Sequence, residues 1–177
     1  MKIVILNGSP RKDGNTQILA QAFADGAKQK HEVEIINVCD SNVYPCIGCN
    51  SCFSREGNKC FRADGMQEIY AKLSQADLLV VASPVYFYGI SAQLKSVIDR
   101  LHTPMRNTFK IKGLALLLTA ASSKASVFDA IVRQYELVLD YFHFEDKGRM
   151  LVGGVGDKGA ITQREELKEA YSLGKSL

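Results

Sequence analysis

No apolar run in this 177-residue sequence approaches the roughly 18 residues that a transmembrane helix needs. The first residues pass straight into a strand-like pattern with no signal-peptide core, so the expected location is cytoplasmic. Charge of one sign is also missing, since 22 Lys and Arg stand against 19 Asp and Glu, a net of +3. The basic residues are scattered, which leaves no stripe for a nucleic-acid backbone. The three histidines, His31, His102 and His143, fall in separate segments without ligand spacing and read as structural or surface residues. Internal repeats and low-complexity linkers are absent as well.

What is present suits one folded domain. Apolar residues make up 46% and charged residues 23%, an ordinary soluble balance that excludes disorder. Residues 1–177 read as a single domain, with residues 39–63 as a cysteine-rich loop insertion. Short apolar runs at 2–6 (KIVIL), 32–38, 77–82 (DLLVVA), 113–119 (GLALLLT) and 149–152 read as buried strands. Between and after them, residues 16–30, 64–75, 91–101, 127–141 and 162–173 carry helical spacing. Asn15, Asp64 and Ser91 are available to open the first three. Strand and helix alternate, which predicts a parallel sheet covered on both faces. The fold class expected is α/β, flavodoxin-like, with five strands in the order 2-1-3-4-5. Ligands then belong beyond the carboxyl ends of strands one and three, where the winding reverses.

The loop leaving the first strand, residues 7–16 (NGSPRKDGNT), is rich in Gly, Ser, Asn and Thr. Such a loop supplies backbone N–H groups and hydroxyls to phosphate oxygens at a helix N-terminus. Arg11 and Lys12 add charge. The loop has neither a dinucleotide G-x-G-x-x-G nor a Walker sequence, which favours a mononucleotide phosphate. The same residues also serve as ordinary turn and cap residues.

Four of the five cysteines form Cys46-x-x-Cys49-x-x-Cys52 with Cys60 beyond, and Cys39 stands apart. In a reducing compartment this cluster points to metal or redox chemistry. Two-residue spacing lets thiolates converge on one centre, and the set suits a [4Fe–4S] cluster better than zinc, which prefers separated knuckles. Cys39 reads as a buried residue at a strand end.

The first loop, with its G-S-x-R and N-T, and Ser83-Pro84-Val85-Tyr86 after the third strand together resemble the NADPH-dependent FMN reductase branch of the flavodoxin-like proteins. The stretch 95–100 (KSVIDR) is similar to that family's K-x-x-x-D-R, although Lys95 and Asp99 have a plain reading as a surface pair. The resemblance implies phosphate contacts at Ser9, Arg11, Asn15, Thr16 and Gln17. It implies flavin-ring contacts at Pro84, Val85, Tyr86, Phe87, Tyr88 and Gly89, with N–H groups near Tyr86 and Phe87 serving ring atoms. Thr119, Ala120 and Ala121 would stand against the same ring, although this stretch is poorer in glycine than the family form. The cysteine loop resembles that of iron-sulfur flavoproteins, while other relatives keep similar cysteines as thiols or a disulfide.

The implied activity is an FMN-dependent NAD(P)H oxidoreductase passing electrons to a small acceptor such as a quinone or flavin. The chemistry would reside on the flavin, with no catalytic side chain. The alternatives are an iron-sulfur flavoprotein exchanging electrons with a ferredoxin-like partner and a non-redox, zinc-stabilised binding module. The family also implies a homodimer or homotetramer, with no membrane or nucleic-acid partner.

Overall fold

In the computed structural model, which describes residues 1–177, five strands and five helices alternate. They are β1 (Lys2–Asn7), α1 (Asn15–Ala27), β2 (Glu32–Asn37), α2 (Met66–Leu73), β3 (Leu78–Pro84), α3 (Ala92–Arg100), β4 (Gly113–Thr119), α4 (Asp129–Phe142), β5 (Glu145–Val152) and α5 (Glu166–Ser176). All strand pairings are parallel, in the order β2-β1-β3-β4-β5.

The apolar runs are buried on both faces because side chains alternate between two cores. Ile3, Ile5, Leu78, Val80 and Leu117 pack with Leu19, Phe23 and Ala170 under α1 and α5. Val4, Leu6, Leu79, Val81, Leu114 and Leu116 pack with Ile69, Leu94 and Ile131 under α2, α3 and α4. The helices α1 and α5 meet backbone to backbone. A Cβ on Gly26 would lie 2.0 Å from the Tyr171 carbonyl oxygen, and one on Gly174 would lie 2.1 Å from that of Phe23.

Several boundaries differ from the sequence expectation, each for a local reason. β5 starts at Glu145 rather than 149, because its first residues, Glu145, Asp146 and Lys147, lie on an edge strand and carry no apolar signal. A 3₁₀ turn, Ala125–Phe128, precedes α4. The last helix runs Glu166–Ser176 instead of 162–173. Gly14, not Asn15, takes the cap position of α1, since the Asn15 side chain is committed elsewhere. Ser91 caps α3 as expected, its Oγ accepting the Leu94 N–H at 3.3 Å. Asp64 Oδ1 accepts the Met66 N–H at 3.2 Å at the head of α2. No helix is long and apolar enough to cross a membrane.

Candidate functional site

Three loops meet at the carboxyl ends of β1, β3 and β4, and hydrogen bonds tie them together. The Gly8 N–H donates to the Ala82 carbonyl at 2.8 Å and the Val85 N–H to the Thr119 carbonyl at 2.8 Å. The Thr16 and Thr119 hydroxyls lie 2.7 Å apart in a buried contact. Gly8 is required here, because a Cβ would fall 2.7 Å from that of Leu94. The switch point expected from strand order is therefore where the predicted site residues gather.

In the loop leaving β1 the backbone is the resource. The N–H groups of Asn15, Thr16 and Gln17, the first turn of a 13-residue helix, have no partner within the chain. Such orphan donors at the positive end of a helix suit an anion. Ser9 is buried, and its Oγ accepts the Arg11 N–H at 3.3 Å. The side chains divide differently from the expectation. Asn15 Nδ2 donates to the carbonyls of Val155 and Asp157 at 2.8 Å each, and its Oδ1 accepts the Ile161 N–H at 3.2 Å. This side chain is spent on the loop after β5 and holds no group for a ligand. Gln17 Oε1 accepts the Asp13 N–H at 3.0 Å, and exposed Arg11 donates to the Gly156 carbonyl at 3.2 Å.

The loop of residues 153–161 is thus a fourth wall, one that sequence reading missed. Gly154, Gly156 and Gly159 form a G-x-G-x-x-G after β5, the one signal available. It lacks the strand–turn–helix setting of a dinucleotide loop, because α5 begins only at Glu166.

The segment after β3 forms a tight hairpin. Tyr86 and Gly89 exchange both backbone hydrogen bonds, at 2.9 and 3.0 Å, around Phe87 and Tyr88 at φ of +48° and +63°. Positive φ at both central positions is the pattern of a type I′ turn, which normally takes Asn and Gly. Two bulky aromatics here store strain of about 1–3 kcal/mol each. The turn presents Phe87 fully exposed and leaves Tyr86 and Tyr88 exposed. The Tyr86 N–H is consumed by the turn, whereas those of Phe87 and Tyr88 have no partner. Pro84 and Val85 are half-buried. Thr119 and Ala120 are buried while Ala121 is exposed. Ala120 spends both backbone groups on the chain, toward Val152 and Val155.

The cysteine loop leaves β2 through a 3₁₀ turn, Val38–Asp40. Cys46 and Cys49 are exposed, Cys52 and Cys60 are half-buried, and all four are free thiols. Contrary to the convergence expected from spacing, the four sulfurs do not meet at one point. The reason is local: residues 46–50 curl through left-handed Gly48 and Asn50, with Cys46 Sγ accepting the Gly48 N–H at 3.5 Å and Cys49 Sγ bonded to the Ser51 hydroxyl at 3.3 Å. The donor set nevertheless fits an iron–sulfur group, being four cysteines, with the N–H groups of Ile47 and Asn50 unpartnered in the same loop. A hydrogen bond with the Ser51 hydroxyl holds the Cys49 thiol below its usual pKa. Cys39 is half-buried, and burial raises its thiol pKa.

A cavity of about 810 Å³ lies away from these carboxyl ends. It lies between α3, α4 and the β3–β4 face, lined mainly by apolar residues such as Leu79, Leu114, Ile131 and Phe142.

Sheet order and loop placement define a flavodoxin-like protein. Its fold matches that of an NAD(P)H:quinone oxidoreductase from Methanothermobacter marburgensis, with a TM-score of 0.76 at 19% identity over 99% of this chain and 96% of that one. An azoreductase from Bacillus anthracis matches with a TM-score of 0.78 at 14% identity over the whole of both chains. A model of the NADPH-dependent FMN reductase family matches residues 1–152. An iron-sulfur flavoprotein from Methanocaldococcus jannaschii is 42% identical over 64% of this chain, an overlap that spans 58% of that protein. Another, from Methanosarcina thermophila, is 32% identical over 92% of this chain and 82% of its own length. The chain belongs to the NADPH-dependent FMN reductase family, in its iron-sulfur flavoprotein-like branch, and so to the class of FMN-dependent NAD(P)H oxidoreductases.

Proposed function

We propose that the chain folds as one FMN-binding domain and passes electrons from NAD(P)H to a small acceptor such as a quinone or a free flavin. One observation carries the reading: three consecutive unpartnered N–H groups at the start of α1 stand beside a strained aromatic turn. The N–H groups of Asn15, Thr16 and Gln17, with the Ser9 hydroxyl, would hold the phosphate, and Arg11 would release Gly156 to join them. Pro84, Val85 and the turn from Tyr86 to Gly89 would flank the ring, with the Phe87 and Tyr88 N–H groups aimed at its polar edge. Thr119 would brace Thr16, leaving Ala121 as the exposed small residue against the ring. When bound, FMN supplies a position that accepts hydride and releases electrons singly or in pairs. No side chain is needed as acid or base, so the protein's work is to hold the ring, cover one face and leave the other to the nicotinamide.

The second reading is an iron-sulfur flavoprotein in which Cys46, Cys49, Cys52 and Cys60 hold a [4Fe–4S] cluster and a ferredoxin-like protein exchanges electrons with it. The all-thiolate loop and the named relatives favour it over a zinc module. Fully exposed Phe87 and exposed Leu137 and Tyr141 on α4 support a homodimer or homotetramer, because large apolar groups in open water favour cover.

Titrating the flavin-free protein with FMN, followed by flavin fluorescence, tests the first reading. Saturable one-to-one uptake is expected, weakened about tenfold in Arg11→Ala. Absence of uptake refutes the assignment, and unchanged affinity in the variant removes Arg11 from it. Anaerobic purification with iron and sulfide analysis tests the second.

A further inference from the structure

The cysteine loop is exposed, yet its attachment to the body is buried. At its neck Gly65 and Ser41 stand back to back, so closely that a Cβ on Gly65 would lie 1.5 Å from the Ser41 carbonyl oxygen. The Asp64 carboxylate accepts the Tyr44 N–H at 3.0 Å and the Met66 N–H at 3.2 Å, which binds the two sides of the neck together. The rest of the loop leans on one place, the C-terminal end of α3. Arg100 Nη1 donates to Asp64 Oδ2 at 2.5 Å and to the Tyr44 carbonyl at 3.2 Å. Thr103 Oγ1 donates to the Asn58 carbonyl at 2.8 Å. The Phe53 ring rests 5.8 Å from that of His102.

Arg100 holds more than the neck requires. Its side chain and that of Asp64 are each only 2% exposed, and Nη1 makes both of its bonds. Nε and Nη2 are buried with no acceptor, leaving three N–H donors unspent. Burying a charged group is costly, and within the chain the Asp64 carboxylate and the Tyr44 carbonyl are what offset it. Asp64 is the one carboxylate that acts on this guanidinium. The neighbouring Tyr70 hydroxyl donates to the Arg100 carbonyl at 2.7 Å.

Building on the cluster reading, we propose that Arg100 is a positioning residue for the cysteine loop. It clamps the neck through Asp64 and Tyr44, and so holds in place the loop that carries Cys46, Cys49, Cys52 and Cys60 when the cluster is held. Outer groups of this kind commonly change metal retention by 10–100-fold.

The test compares anaerobically purified wild type, Arg100→Lys, and the double variant Arg100→Met with Asp64→Leu. The double variant removes both charges and leaves no buried ion alone, and its FMN stoichiometry reports whether the body is folded. In the double variant, release of iron to a chelator is expected to be about tenfold faster than in wild type. Arg100→Lys, which keeps the charge and the pairing to Asp64, should restore slow iron release toward that of wild type. A double variant that binds FMN and matches wild type in iron release overturns the role of Arg100 while the cluster stands. A wild type that takes up no iron, even after reconstitution with iron and sulfide, overturns the cluster reading and this inference with it.

Discussion

Replacing Asn15 separates two roles that its position allows. The family resemblance puts this residue at the phosphate, whereas the structure spends its side chain on the loop after β5. Asn15→Ala removes three hydrogen bonds, two of 2.8 Å and one of 3.2 Å, at a residue only 7% exposed. It strands two carbonyls and one N–H in the interior. Each stranded group costs about 1–3 kcal/mol, and partial rehydration brings the sum to about 3 kcal/mol. For a chain of this size that lowers Tm by about 6–12 °C. Asn15→Asp should be at least as harmful, because a carboxylate would face two carbonyl oxygens. The assay is calorimetric unfolding of the flavin-free protein, paired with FMN titration well below the transition. Since the backbone N–H of residue 15 survives the change, FMN affinity should fall less than about threefold, against the tenfold loss of a phosphate-bonding side chain. An unchanged Tm, or a tenfold affinity loss in fully folded protein, refutes the reasoning.

The aromatic turn should behave in the opposite way. Changing Phe87→Asn together with Tyr88→Gly relieves two left-handed bulky residues and should raise stability by about 2 kcal/mol in denaturant unfolding, while FMN affinity falls with the lost aromatic cover. No gain in stability would show that the turn is unstrained. Asp64 sets an acid limit. Burial works against its charge, but hydrogen bonds from Arg100 and from the Tyr44 and Met66 N–H groups prevail and hold its pKa below the usual carboxylate range. The group binds fewer protons folded than unfolded, so its stabilisation is complete above the unfolded value of about 3.9 and is lost as pH falls through the lower folded one. The stability difference between wild type and Asp64→Asn should therefore be flat from neutral pH down to about 5 and shrink below about 4. A difference that grows with acidity would reverse the sign argued here.

The legible parts of the molecule are those set by neighbours in the chain. The runs at 2–6, 77–82 and 113–119 are buried strands because, after the leading Lys2 and Asp77, every side chain in them is apolar or small, and a parallel strand covered on both faces needs no alternation. The edge strand β5 was half hidden, since Glu145, Asp146 and Lys147 reach solvent and carry no periodic signal. In the site, the loops at Ser9 and Pro84 stood out by composition and position. Nothing local distinguished Thr16, whose hydroxyl meets Thr119, from an ordinary helix-opening threonine.

By itself, then, the amino-acid order determined the βα alternation, the strand order it permits and the end of the sheet where ligands belong. Only the tertiary structure decided which polar groups remain free there. The Asn15 side chain is claimed by Val155, 140 positions away, and the cysteine loop is anchored by Arg100, 36 positions beyond Asp64. A donor is free or spent according to what lies within about 3 Å of it, and in a wound sheet those neighbours come from distant strands and loops.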